Sequence, residues 1–145
     1  MPSIRSLALA VAGITFALPS VAQAALAIGA KAPDFTTRGA LAGKVFTLKL
    51  SDALKKGPVV LYFFPKQGTP GCTVEAHAFA EANDDFKKAG ATVIGMSADS
   101  VEDLKGFSVE ACRNKFALGS AGPGVISGYD VALETRPGMT NRTSY

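Results

Sequence analysis

The most informative stretch of the sequence lies near the middle of the chain, where residues 58–64 read PVVLYFF, residues 65–72 read PKQGTPGC and residues 73–90 read TVEAHAFAEANDDFKKAG. The first segment is a short apolar run rich in Val, Tyr and Phe, which is typical of a buried strand. In the third segment apolar residues recur every three or four positions, which predicts an amphipathic helix that stops at Gly90. The stretch therefore predicts a strand, a short loop and a long helix.

The start of that helix carries a cysteine. Thr69 is a good N-cap and Pro70 suits the first helical position, so Cys72 falls in the opening turn. Unpaired N–H groups and the positive end of the helix dipole favour a thiolate there. A helix N-terminus contributes only roughly 0.3–1 kcal/mol, however. A strongly activated nucleophile at Cys72 therefore needs a nearby cation as well.

Strands and helices alternate over the rest of the chain. Residues 35–37 and 45–48 predict a small hairpin, and residues 50–56 a short helix capped by Ser51. The next patterns predict a buried strand at residues 91–97 and a helix from Asp99 or Ser100 to about Lys115, which carries Cys112. After this helix we expect a brief strand at 116–118 and at most a helical turn within 121–133. The last residues predict a loop over 134–141 and the start of a strand at 142–145. This order predicts an α/β fold with a central mixed β-sheet flanked by helices.

Composition indicates one globular domain. The chain has 145 residues, of which 48% are hydrophobic and 19% charged, so it is long and apolar enough to bury a core. The formal net charge is +3 and no basic run exceeds a pair. This balance predicts neither nucleic-acid binding nor attachment to a membrane surface.

Residues 1–24 have the features of a targeting signal. Arg5 precedes an apolar run over residues 7–18, and Ala22-Gln23-Ala24 forms an A-x-A cleavage site. The apolar run is too short to span a bilayer comfortably. We therefore expect a signal peptide at residues 1–24, a domain at residues 25–145, a periplasmic location and no membrane contact after cleavage. An uncleaved anchor is the alternative.

Several motifs together resemble one family. Residues 65–72 fit the pattern P-x-x-x-[T/S]-x-x-C of peroxiredoxins, and TPGCTVEA at residues 69–76 is similar to the peroxiredoxin Q, or bacterioferritin comigratory protein, branch. GAKAPDF at residues 29–35 resembles the family's opening motif, and GATVIGMSAD at residues 90–99 its next strand. The resemblance runs in order from about Ile28 to the last residue and implies a thioredoxin-like fold.

The resemblance also implies roles for single residues. Cys72 would attack one peroxide oxygen and become a sulfenic acid. Thr69 would contact the thiolate and the peroxide through its hydroxyl, and Pro65 would shield the pocket from water. Arg142 would supply the cation. The alternatives are a structural thiol at Cys72, a strand terminator at Pro65 and a solvated arginine at position 142, since Arg113 and Arg136 are also available.

The second cysteine departs from the commonest pattern of this branch. The resolving cysteine often lies five positions after the first, where this chain has His77. Some members of the branch are resolved from the next helix, so we hypothesise a disulfide between Cys72 and Cys112 after local unwinding. An external thiol or a purely structural bridge are the alternatives. Without a C-x-x-C motif a thioredoxin-type exchanger is disfavoured, and two cysteines with one histidine make a poor metal site.

The resemblance implies a thiol-dependent peroxidase that reduces hydrogen peroxide and small organic hydroperoxides. It implies a thioredoxin-like dithiol protein as reductant, no metal, haem or flavin, and a monomer. The alternative is a thioredoxin-like interaction domain that does not turn over peroxide. Its support is the C-terminus: residues 142–145 look like the first half of a strand, whereas the family continues into a further strand and a closing helix.

Overall fold

The computed structural model describes residues 25–145, so the predicted signal peptide lies outside the described residues. The elements are β1 (Thr36–Leu41), β2 (Lys44–Lys49), α1 (Leu50–Leu54), β3 (Val59–Phe63), α2 (Pro70–Lys88), β4 (Thr92–Ser97), α3 (Val101–Glu110), β5 (Ala117–Ser120), α4 (Pro123–Gly128) and β6 (Thr143–Ser144). Within residues 25–145, none of the helices is long and apolar enough to cross a membrane.

Six strands form one sheet in the order β2-β1-β5-β4-β3-β6. Strand β4 lies parallel to both β3 and β5, whereas β1 pairs with β2 and β5, and β6 with β3, in antiparallel fashion. The prediction of a mixed sheet is confirmed. Because β6 lies beside β3, the residues just before Thr143 reach the end of β3 from which the chain enters α2.

Side chains of β3 alternate between two apolar layers, as expected for a strand buried on both faces. Tyr62 and Phe64 join the layer formed with α2 and α3, which includes both cysteines. Leu61 and Phe63 join the opposite layer, formed with α1 and α4. The helices therefore cover both faces of the sheet and bury β3 between them.

The predicted hairpin of β1 and β2 is present, and helix α1 follows it directly. Ala42 and Gly43 both have positive φ, 51° and 74°, as a two-residue hairpin turn requires. Helix α1 begins at Leu50, so the prediction of Ser51 as its cap is wrong. Ser51 lies in the first turn, and its N–H donates to Oδ1 of Asp34 at 3.0 Å, so a distant carboxylate takes the place of a local cap.

Helix α3 is shorter than its sequence pattern predicts. Ser100 is its N-cap, with Oγ accepting a hydrogen bond from the Asp103 N–H at 3.2 Å. Its end at Glu110, rather than near Lys115, places Cys112 in the turn that follows and not on the helix. The helix stops because Arg113 and Asn114 take left-handed φ values of 50° and 58°, which a right-handed helix excludes.

Candidate active site

Cys72 lies in the first turn of α2, where the chain leaves the carboxyl end of β3. Its side chain is only 2% exposed and belongs to the apolar layer beneath α2. Thr69 has extended backbone angles and is the N-cap, and Pro70 is the first helical residue, as predicted. The Thr69 side chain does not cap the helix. Its hydroxyl donates instead to the carbonyl of Lys66, at 3.0 Å.

Arg142 reaches Cys72 from the neighbouring strand. It precedes β6, whose Thr143 pairs with Phe63 at the end of β3. Its Nη2 donates to Sγ of Cys72 at 3.4 Å, and its Nη1 donates to Oε2 of Glu75. A Cβ added at Gly71 would lie 3.4 Å from Nη2, an ordinary van der Waals distance, so the guanidinium packs closely over this position. The structure therefore brings together the predicted thiol and the predicted cation.

The two other arginines considered from the sequence lie elsewhere. Arg113 pairs with Glu81 at 3.2 Å. Glu81 follows Cys72 by nine residues on α2, a distance of about 13 Å along the helix axis. Arg136 is exposed in the loop before β6. Among these three arginines, the hydrogen bond to the Cys72 sulfur is made by Arg142.

Glu75 is a residue of the site that the sequence analysis missed. It is three positions after Cys72, so both side chains lie on one face of α2, and this spacing was the available signal. Burial raises the pKa of Glu75, and the nearby Arg142 only partly opposes this. For Arg142 burial disfavours the charge, but the hydrogen bond to Cys72 and the charge of Glu75 outweigh it and raise the pKa. Arg142 is therefore a permanent cation beside the thiol.

Pro65 lies on the other side of the loop and is partly buried. The residue before it, Phe64, donates its N–H to the Met96 carbonyl at 2.9 Å and accepts the buried Thr140 hydroxyl at 2.6 Å. Thr140 was also missed from the sequence, since nothing local indicates its partner. Pro65 has no N–H of its own. The loop therefore starts from a backbone position that is fixed on both sides.

Cys112 is completely buried in the same apolar layer as Cys72, and both are free thiols. Burial raises the pKa of Cys112 to about 12. The turn that follows it is joined to α2 by two exposed ion pairs, from Arg113 to Glu81 at 3.2 Å and from Lys115 to Asp84 at 3.3 Å. The turn after Cys112 therefore contacts α2, the helix that carries Cys72.

A cysteine that opens a helix and receives a hydrogen bond from an arginine just before β6 lies in surroundings that favour a thiolate. The sequence pattern of the AhpC/TSA family matches residues 28–145, and the chain belongs to this family. It is 44% identical over 80 residues to the chloroplastic peroxiredoxin Q of Sedum lineare, covering 55% of this chain and 41% of that protein. It is 38% identical over 93 residues to a bcp-type peroxiredoxin of Helicobacter pylori, covering 64% and 59%.

Solved structures of related proteins have the same fold. Peroxidoxin BcpB from Mycobacterium tuberculosis has a TM-score of 0.68 and 30% identity, with 80% of this chain and 73% of that chain covered. The reduced 2-Cys peroxiredoxin of Plasmodium vivax has a TM-score of 0.71 at 22% identity, with 81% and 76% covered. The fold is therefore thioredoxin-like α/β, and the branch is that of peroxiredoxin Q and the bacterioferritin comigratory proteins. Chloroplastic members show that the branch includes proteins directed to a compartment.

Proposed function

We propose that this chain is a thiol-dependent peroxidase that reduces hydrogen peroxide and small organic hydroperoxides through Cys72. The chain spans 41% of the length of the Sedum relative and 59% of the Helicobacter relative, so the activity is inferred from the site. The observation that carries the proposal is the 3.4 Å hydrogen bond from Arg142 Nη2 to Cys72 Sγ at the start of α2. A charged donor stabilises the negative charge of a thiolate nucleophile, whereas a neutral structural thiol does not need such a partner.

The proposed first step is a displacement at oxygen. The Cys72 thiolate attacks one peroxide oxygen, an S–O bond forms and the O–O bond breaks. The sulfur becomes a sulfenic acid, and the departing hydroxide or alkoxide takes up a proton and leaves as water or alcohol. Arg142 has donors for both the sulfur and the oxygens, so it stabilises the negative charge as it moves away from sulfur.

The proposed second step uses Cys112. Its thiol attacks the sulfenic sulfur of Cys72, a disulfide forms and water is released. Because Cys112 is fully buried, the turn after α3 must open first. A thioredoxin-like dithiol protein would then return the disulfide to two thiols by donating two electrons. An external thiol acting directly on the sulfenic acid is the alternative route.

We place this reaction in the periplasm of a bacterium and expect a monomer. The charge and apolar pattern of residues 1–24 support export. Because the periplasm is kept oxidising, a peroxidase located there would need a dedicated dithiol protein as its reductant.

The proposal is tested by counting thiols. The chain is fully reduced, given one equivalent of hydrogen peroxide, alkylated and analysed by intact mass and peptide mapping. Loss of both thiols in one chain, mapped to Cys72 and Cys112, is the expected result. Oxidation of Cys72 alone would retain the peroxidase and remove the internal resolving step. A reaction no faster than that of free cysteine would reject the peroxidase and favour a thioredoxin-like interaction domain.

A further inference from the structure

A buried carboxylate holds the loop that carries the candidate active site. Asp99 follows β4, and its side chain is only 2% exposed. Its Oδ1 accepts from Nζ of Lys66 at 2.6 Å. Its Oδ2 accepts from the Gln67 N–H at 2.7 Å and from Oγ of Ser97 at 2.9 Å. Both oxygens therefore have partners, and two of the three donors belong to the loop between β3 and α2.

The position of Asp99 itself is fixed by the ends of two strands. Its backbone N–H donates to Oγ of Ser97 at 3.2 Å, and its carbonyl accepts from Oγ of Ser120 at 2.7 Å. Ser97 is the last residue of β4 and Ser120 the last residue of β5. The carboxylate is thus held on the sheet, and the loop residues Lys66 and Gln67 are held on the carboxylate.

Comparison with a second Asp–Lys pair shows that the environment of Asp99 is unusual. Asp52 and Lys55 on α1 are 2.7 Å apart, nearly the same distance, but both side chains are more than half exposed. An exposed pair of this kind contributes little. A carboxylate without access to water is costly unless hydrogen bonds replace the lost hydration, so it tolerates only small displacements of its partners. Asp99 is therefore the more rigid anchor.

The anchor leads to Thr69, the residue that we expect to contact the peroxide. The Thr69 hydroxyl donates its single proton to the Lys66 carbonyl at 3.0 Å. Once that proton is used, the hydroxyl oxygen offers only lone pairs to other groups. Such an oxygen accepts a hydrogen bond from the O–H of an incoming peroxide. The Lys66 carbonyl belongs to the same planar peptide unit as the Gln67 N–H, which donates to Asp99, so Asp99 fixes the acceptor that orients Thr69.

We propose that Asp99 is a positioning residue for peroxide reduction, which acts through Lys66 on the Thr69 hydroxyl. This inference rests on the proposed peroxidase function of Cys72. It assigns to Asp99 the alignment of the peroxide, and not the reactivity of the sulfur. Reaction of Cys72 with an electrophile that Thr69 does not align should then be independent of Asp99.

The test compares two reactions of the same cysteine in the full chain. In Asp99→Asn an NH2 group replaces one acceptor oxygen, so one donor of the loop loses its partner. We expect the second-order rate constant of Cys72 with hydrogen peroxide to fall by roughly tenfold to a hundredfold, as small misalignments do. Alkylation of Cys72 by iodoacetamide, followed on the same peptide, should change by less than about threefold. The matched control Asp52→Asn should leave both rates unchanged.

A double-mutant cycle tests the route through Thr69. Thr69→Val should slow the peroxide reaction, and Asp99→Asn in that background should then slow it by less than about twofold further. Additive losses, or equal losses of the peroxide and iodoacetamide reactions, would overturn the proposal. If Asp99→Asn does not fold, Lys66→Met takes its place in the same cycle and should show the same peroxide-selective loss.

The rates of the wild-type chain and of Asp99→Asn distinguish failure of the peroxidase function from failure of the positioning role. If the wild-type chain reacts with hydrogen peroxide no faster than free cysteine does, the peroxidase function is rejected and the role of Asp99 with it. If the wild-type chain reacts rapidly and Asp99→Asn reacts equally rapidly, the peroxidase function remains and the positioning role alone is rejected.

Discussion

The two cysteines of this protein are equally buried and chemically opposite. Cys72 is 2% exposed and Cys112 is not exposed at all, and both contribute to one apolar layer. Cys72 opens a long helix and receives a hydrogen bond from Arg142 at 3.4 Å. Cys112 follows the end of a helix, and burial raises its pKa to about 12. Polar groups at the sulfur, and not its burial, therefore distinguish the candidate nucleophile Cys72 from Cys112, which burial keeps protonated near neutral pH.

The two surroundings also differ in backbone strain. The loop before Cys72 is fixed to Asp99, Phe64 and the sheet, whereas the turn after Cys112 contains two consecutive left-handed residues, Arg113 and Asn114. A left-handed L-residue costs roughly 1–2 kcal/mol, less for asparagine. The exposed ion pairs to α2 oppose release of this turn only weakly. We therefore expect the rigid side to hold the nucleophile and the strained side to move toward it.

The largest expected effect comes from removing the donor that distinguishes Cys72. In Arg142→Ala the sulfur and the peroxide oxygens lose their cation, so peroxide reduction should slow by roughly a hundredfold to a thousandfold. Stopped-flow kinetics of the first oxidation step would measure this. Arg136→Ala is the control, because Arg136 is exposed in the loop before β6, and it should leave the rate unchanged. Equal losses in both variants would show that Arg142 is not the cation of the site.

The next largest effect is the dependence of stability on pH through the Cys112 thiol. The folded-state pKa of Cys112 is about 12 and its ordinary value is 9.0. Between these values the unfolded thiol loses its proton and the folded thiol keeps it. The unfolded state therefore binds fewer protons, and stability falls as pH rises, by about 1.4 kcal/mol per pH unit. Below about pH 9 both states are protonated, and the contribution is fully present.

Urea unfolding between pH 8 and pH 11 would measure this loss of stability. Above about pH 9 the free energy of unfolding of Cys112→Ala should fall less steeply than that of the wild-type protein, by about 1.4 kcal/mol per pH unit. The comparison between variants is needed because burial also raises the pKa of Tyr62 and Tyr129, and this too lowers the free energy of unfolding as the pH rises. A Cys112→Ala variant with the same pH dependence as the wild-type protein would mean that the Cys112 thiol is accessible in the folded state.

The smallest expected effect concerns release of the turn. Arg113→Gly removes both the left-handed strain and the ion pair with Glu81, whereas Glu81→Gln removes the ion pair alone. Relief of strain stabilises the closed turn, so disulfide formation in Arg113→Gly should be roughly two- to fivefold slower than in Glu81→Gln. Formation of the Cys72 sulfenic acid should be the same in both. Quenched-flow alkylation separates the two steps, and identical rates of disulfide formation would show that backbone strain does not drive the release of Cys112.

Local structure was largely predictable because its signals are local. The hairpin, the strands β3 and β4 and the helix beginning after Thr69 follow from residue periodicity and from capping preferences over a few neighbouring positions. One error arose where a distant group replaced a local one, and the other where a turn ends a helix early. Asp34 takes over the capping of α1 from Ser51, and the left-handed turn at Arg113 ends α3 earlier than its apolar pattern suggests.

The candidate site divides along the same line. That Cys72 opens a helix and needs a cation could be predicted from the sequence, since helix starts are encoded by adjacent residues. The contacts of Arg142 with that sulfur, 70 positions away, and of Asp99 with Lys66, 33 positions away, arise from the tertiary structure. Such contacts depend on which strands lie side by side. Sheet order arises from the packing of the whole chain, and no local pattern specifies it.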